Sequence, residues 1–232
     1  MTRVVDSALV KPAHFAHFVL RCSDKGESVA WYQAVLGMEV VHENPMLSFL
    51  TYDDEHHRLA LVQSQVETEV PAGAPGLDHV AYTLSSLEDL LSTYKRLRDS
   101  GIEPVWPINH GLTTSIYYAD PDGNRVEFQV ENYKTKEELN GFMRSDAFAK
   151  NPIGITFEPE KMLARFENGD PIDELLQQGS EVAIKAIFSK CIIRIKSHCL
   201  ALLRIYVMMK NEIVLLKMLL IYQLKRKIMN VF

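Results

Sequence analysis

An internal repeat limits what this chain can fold into more than any other feature. In the first copy, FAHFVLRC (residues 15–22) predicts a strand, followed by a turn at Ser23–Gly26. Asp24 with Glu27 is a weak capping pair that opens a helix through ESVAWYQAVL, stopped by Gly37. MEVVHE, LSFLTYD and RLALVQ are the strands that follow. The second copy repeats this order. LDHVAYTL is a strand, Ser85 with Glu88 is expected to cap the helix LEDLLSTYKRLRDS, and Gly101 closes it. EPVWPI, TSIYYA and RVEFQV come next, with DPDGN as a tight turn between the last two. Superposed, His17 falls on His79 and Tyr32 on Tyr94, both offset by 62 residues.

One β-α-β-β-β copy has nothing to bury its sheet face against, so the two must pack together. The fold class expected is α+β: two βαβββ modules forming a curved, half-open barrel sheet around a cavity, with helices at the C-terminal side. The boundaries follow: an arm at 1–12, a two-module domain at 13–134 (modules about 13–64 and 76–134), and a helical extension at 135–179. In that extension Thr135 and Glu138 form a capping box for a helix over 135–150, ended by Pro152. Residues 158–178 read as a polar helix or a loosely attached segment, packed outside or over the cavity mouth.

Composition shifts at Gly179. All 11 Gly and all 10 Pro lie at or before it, and residues 180–232 hold 10 Lys and Arg against only Glu181 and Glu212. The first 179 residues hold 15 basic and 28 acidic side chains, which gives no reason to expect nucleic acid as a partner. The tail is basic and apolar, but its uncharged stretches are too short for a membrane span. It reads as dispensable or foreign to the rest, and a membrane role is expected only if it is a working part of the protein. Three scattered cysteines and no secretory signal point to a reducing cytoplasm.

The candidate chemistry sits at matched positions. His14 and His17 point to opposite sides of a strand, and the repeat selects His17, with His79 as its counterpart. Glu127 lies in RVEFQVE with Val126 and Phe128 on the opposite face. A carboxylate in so apolar a strand is paired, at an edge, or bound to a metal. Two histidines and one carboxylate from separate strands form a facial triad that leaves positions open on Fe(II). Pairing across DPDGN places Tyr117 opposite Glu127, and a one-residue register change would place Tyr118 there instead. Of His56 and His57 only one can face inward, and His110 lies in the loop INHGLTT.

FAHFVLR, GLDHVAY and DPDGNRVEFQVENY together resemble the vicinal oxygen chelate superfamily, over about residues 13 to 150. That superfamily also contains glyoxalases and fosfomycin- and bleomycin-resistance proteins. The chain looks most like the one-domain type I extradiol dioxygenases, of the biphenyl-2,3-diol 1,2-dioxygenase kind. The resemblance implies that His17, His79 and Glu127 hold Fe(II), with Mn(II) satisfying the same ligands. It maps a histidine just outside the metal's ligands onto His57, through HHRLALV. It maps the family tyrosine onto Tyr117, ten residues before Glu127, and the family proline between them onto Pro121. A further histidine fits His110 if a short gap is allowed. The implied substrates are a catechol and O2, and the implied assembly is a homo-oligomer. The alternatives are an O2-independent lyase, isomerase or transferase of the glyoxalase type, and a non-catalytic binding module. Glyoxalase I needs a second carboxylate on a first-repeat strand, and RLALVQ has none.

Overall fold

The structure is a computed structural model that describes residues 9–66 and 74–180. The chain divides into two compact units, Met1–Gly179 and Ser180–Phe232. The basic tail from residue 181 onward, and residues 1–8 of the arm, lie outside the described residues.

Both copies of the repeat fold in the same order. The first is β1 (Phe18–Cys22), α1 (Lys25–Leu36), β2 (Glu39–Glu43), β3 (Leu47–Thr51) and β4 (Leu59–Gln63). The second is β5 (His79–Thr83), α2 (Leu87–Asp99), β6 (Trp106–Asn109), β7 (Thr113–Ala119) and β8 (Arg125–Glu131). They form two mixed sheets, ordered β1-β4-β3-β2 and β5-β8-β7-β6, and do not close into a barrel. A short strand, β9 (Ile155–Thr156), extends the second sheet beyond β6. β1 runs parallel to β4 and β5 parallel to β8, while the other pairs are antiparallel. Among the described residues β1 and β5 therefore end their sheets, each with one backbone edge outside any ladder.

Local chemistry explains the element ends. The Asp24 carboxylate accepts from the Glu27 N–H at 3.0 Å, and Gly37 turns left-handed at φ 65. The second helix starts at Leu87 as expected, but its cap is one residue later: Ser86, not Ser85, accepts from the Asp89 N–H at 3.1 Å. Starting there sends Leu87 into the core. Thr135 and Glu138 do form a capping box, but the helix breaks into α3 (Lys136–Met143) and α4 (Asp146–Lys150) because Ser145 starts a new cap. Residues 158–178 are not a loose attachment. They form α5 (Pro159–Glu167) and α6 (Ile172–Leu175), which bury Met162, Leu163 and Leu175 in the main core.

That core is one apolar cluster shared by both copies. It takes Val29, Tyr32 and Val35 from α1, and Leu90, Leu91, Tyr94 and Leu97 from α2. One face of each sheet completes it: Leu50, Leu59 and Leu61 on one side, Ile116, Tyr118, Val126, Phe128 and Val130 on the other. Strand alternation then sends Tyr117 and Glu127 to the opposite face. The copies are also joined by a buried hydrogen bond, in which the Tyr32 hydroxyl donates to Asp120 at 3.1 Å. Asp120 keeps three other donors, from Asp122 and Asn124. Tyr32→Phe is thus expected to cost about 1–2 kcal/mol in urea unfolding, with the ring packing unchanged.

Candidate metal centre

The second sheet assembles most of the candidate site on its outer face. β7 and β8 pair in the register expected from the DPDGN turn, with Tyr117 opposite Glu127 and Tyr118 opposite Val126. Tyr117 shares the carboxylate's face, and Tyr118 points into the core. Next to β8, β5 places Ala81 opposite Glu127 and His79 opposite Arg125. On the other side β6 sets Trp106 opposite Tyr117, their rings 5.1 Å apart.

Hydrogen bonds then decide which lone pairs point where. His79 Nδ1 lies 2.8 Å from the Asp78 carboxylate, which Arg125 also pairs. Nδ1 thus has a carboxylate as its partner, while Nε2 faces Glu127 Oε2 at 3.1 Å, where only a shared proton or a cation makes the contact favourable. Glu127 is 4% exposed, and among the described residues its only ion-pair contacts are His79 and, at 3.9 Å, His110. A buried carboxylate oxygen facing an imidazole lone pair is unfavourable until a proton or a cation sits between them. An imidazole backed by a carboxylate is also the usual arrangement of a histidine that binds a metal. The donor set therefore fits a divalent metal.

His110 joins this group from the β6–β7 loop. Its Nε2 is 3.1 Å from the Tyr117 hydroxyl, and its Nδ1 contacts the Ile153 carbonyl. Burial, followed by the Glu127 charge, pushes the Tyr117 hydroxyl well above the usual phenol range, so it stays protonated as a donor.

The first sheet holds the other histidines in a separate group. His17 immediately precedes β1, its ring 4.2 Å from His57 and 6.3 Å from His56. His57 stacks on Phe49 at 4.3 Å, and its Nδ1 lies 2.5 Å from that of His56. Of the two, His57 turns inward and His56 stays exposed. Burial, then the neighbouring His17 and His56 rings, lower the His57 pKa below that of a free imidazole. His14 lies apart, near Glu55.

The two copies contribute their donors from different sheets of the chain. Among the described residues no group of three His, Cys, Asp or Glu side chains is set to hold a metal ion. His79 and Glu127 come together, while His17 sits on the free edge of the other sheet. The sequence reading also missed Asp78, Phe49 and the Ile153 carbonyl. Asp78 could have been noticed beside His79 in LDHVAY, whereas a backbone carbonyl from a distant loop leaves no sequence signal.

Register identifies the counterpart of Glu127 in the first copy. Phe18 pairs with Leu59 and Val19 with Ala60, just as Val80 pairs with Val126 and Ala81 with Glu127. Glu127 thus corresponds to Ala60, and Tyr117 to Phe49, which lies opposite Ala60. The donors are asymmetric: each repeat brings one histidine, and only the second brings a carboxylate. A surface cavity of about 490 Å3, lined by Thr83, Ser85, Asp89, Ser92 and Arg96, includes none of these groups.

Comparison with known proteins agrees with this architecture. Residues 14–128 match the family model described as the glyoxalase/bleomycin resistance protein/dioxygenase superfamily. The chain is 43% identical over 162 residues to biphenyl-2,3-diol 1,2-dioxygenase 2 of Rhodococcus globerulus, covering 69% of this chain and 85% of that protein. Biphenyl-2,3-diol 1,2-dioxygenase 3 of the same organism is 44% identical over 163 residues, with the same coverage. A lactoylglutathione lyase of Haemophilus influenzae is 30% identical over 135 residues, covering 53% of this chain and 96% of that protein. Fold, register and sequence thus lead to one conclusion: this chain belongs to the glyoxalase/bleomycin resistance protein/dioxygenase superfamily, and within it to the family of the biphenyl-2,3-diol 1,2-dioxygenases.

Proposed function

We propose that this protein is an extradiol dioxygenase that opens a catechol-type ring next to its vicinal hydroxyls, with O2 as co-substrate. The observation that carries the reading is Glu127, a carboxylate buried to 4% exposure that faces a carboxylate-backed imidazole, with Tyr117 and His110 on the same sheet face. The family supports Fe(II) as the metal, and Mn(II) suits the same donors. When bound, it supplies Lewis acidity toward the catechol oxygens and the electron transfer that O2 requires.

The side chains then take separate tasks. His79 and Glu127 would supply two of the metal's ligands. Tyr117 and His110 donate to or accept from the substrate oxygens, and Trp106 walls their side. His57, stacked on Phe49 beside His17, would enter from the same copy as His17 and move a proton at its ring nitrogen as the ring opens. The glyoxalase-type alternative loses ground to Ala60, which leaves no second carboxylate at the matched position.

The third donor would be His17 of a second copy. β1 and β5 are both unpaired edges, Val19 on β1 is 54% exposed, and two-fold pairing of β1 with β5 of the partner would place each His17 beside the other chain's His79 and Glu127. The working unit is then a homodimer or a multiple of it, in a reducing cytoplasm. Among the described residues no helix is long and apolar enough to cross a membrane.

The test is oxygen uptake by anaerobically Fe(II)-loaded protein given small catechols, 2,3-dihydroxybiphenyl included. Uptake matched by a yellow product is expected, and His57→Ala should reduce it by about a hundredfold or more. No uptake from protein with measured bound iron would rule the reaction out.

A further inference from the structure

His110 belongs to the second repeat, but its ring is held from outside it. The segment following α4 turns back against the β6–β7 loop. There β9 pairs with β6, Ile155 opposite Asn109 and Thr156 opposite Ile108. The turn before it is tied by Asn151, whose side chain accepts from the Gly154 N–H at 3.0 Å and donates to the Gly154 carbonyl at 2.9 Å. Gly154 sits at φ +116, a region closed to side chains, and a Cβ there would stand 2.8 Å from the His110 Cα. The backbone of this turn therefore lies directly against that of His110, and only glycine permits the approach. The result is the contact between the Ile153 carbonyl and His110 Nδ1.

A carbonyl oxygen can only accept, so Nδ1 carries the proton. In the neutral ring Nε2 is then a bare acceptor, aimed at the Tyr117 hydroxyl 3.1 Å away. Asn109 is pinned on both sides as well: its Nδ2 donates to the Leu176 carbonyl at 2.8 Å, and its own carbonyl accepts from Gln178 at 3.0 Å. We infer that Ile153 and Gly154 are positioning residues, selecting the His110 tautomer that presents a bare Nε2 to Tyr117 and to the substrate oxygens. The role of His110 in turnover rests on the dioxygenase reading, whereas the tautomer does not.

Two variants of the full chain test this, Asn151→Ala and Gly154→Ala, with 15N-labelled histidine followed by long-range proton–nitrogen NMR. The wild-type protein is expected to show His110 protonated at Nδ1 alone. Asn151→Ala adds no atoms and only loosens the turn. It should mix the two tautomers and reduce kcat for catechol cleavage by about tenfold, with KM changed much less. Gly154→Ala should do the same more severely, and if it fails to fold, Asn151→Ala decides. An Nε2–H tautomer in the wild type, or an unchanged His110 spectrum in folded Asn151→Ala protein, would overturn the inference. A strand that merely stabilised the sheet would lower the melting temperature without moving the imidazole signals. The NMR result stands whichever reaction the site performs.

Discussion

Glu127→Gln should leave the protein folded while reducing metal affinity and ring cleavage by about a hundredfold or more. The amide keeps the shape of the side chain but removes the charge that a divalent cation needs. The metal-free fold should respond in the opposite direction. Among the described residues no Lys or Arg pairs with this carboxylate, which at 4% exposure is a burden on the fold, so the variant's apo protein should melt at or above the wild-type temperature. Adding metal at about 100 times its Kd stabilises a specific binder by about 2.7 kcal/mol. That gain should appear in the wild type and be lost in the variant. Melting curves with and without metal, together with bound-metal analysis, measure both effects. A variant that still gains stability from metal would remove Glu127 from the ligand set.

The second large effect is all or none. If His17 reaches the site of the partner subunit, a dimer of one His17→Ala chain and one Glu127→Gln chain holds one intact site and one doubly broken site. Two affinity tags isolate such mixed dimers from co-expressed chains. The mixed dimer should bind about half the wild-type metal and retain about half its rate, while each variant homodimer has neither. If all donors came from one chain, every site in the mixed dimer would lack a ligand and the preparation would be inactive. Tags that never co-purify would argue equally strongly against the shared site. Each outcome is read in bound metal as well as in turnover, so it separates the assembly from the reaction.

Much of this was legible in the sequence, for identifiable reasons. The repeat is visible because a 62-residue offset aligns His17 with His79 and Tyr32 with Tyr94. The Tyr117–Glu127 pair could be placed because a tight turn fixes hairpin register, and DPDGN is such a turn. The end of α2 was readable from Gly101 and its start from Leu87, its cap only to within a residue, since Ser85 and Ser86 offer the same oxygen. The grouping of His17 with His56 and His57 was not legible, because rings brought together by a loop and a strand start leave no periodicity to read. β9 was hidden for another reason: two residues have no periodicity, and their pairing with β6 depends on a glycine whose neighbour is 44 positions away in sequence.

The apolar cluster that runs from α1 through both sheets to Leu175 has a consequence for ancestry. A duplicated gene segment usually suggests two building blocks, each able to stand alone. Here Tyr32 and Val35 pack in the same cluster as Leu90, Leu91 and Leu97, so a single copy would expose side chains that the two now bury together. The repeats therefore record history and are not units of folding. Damage to either one is therefore shared by both.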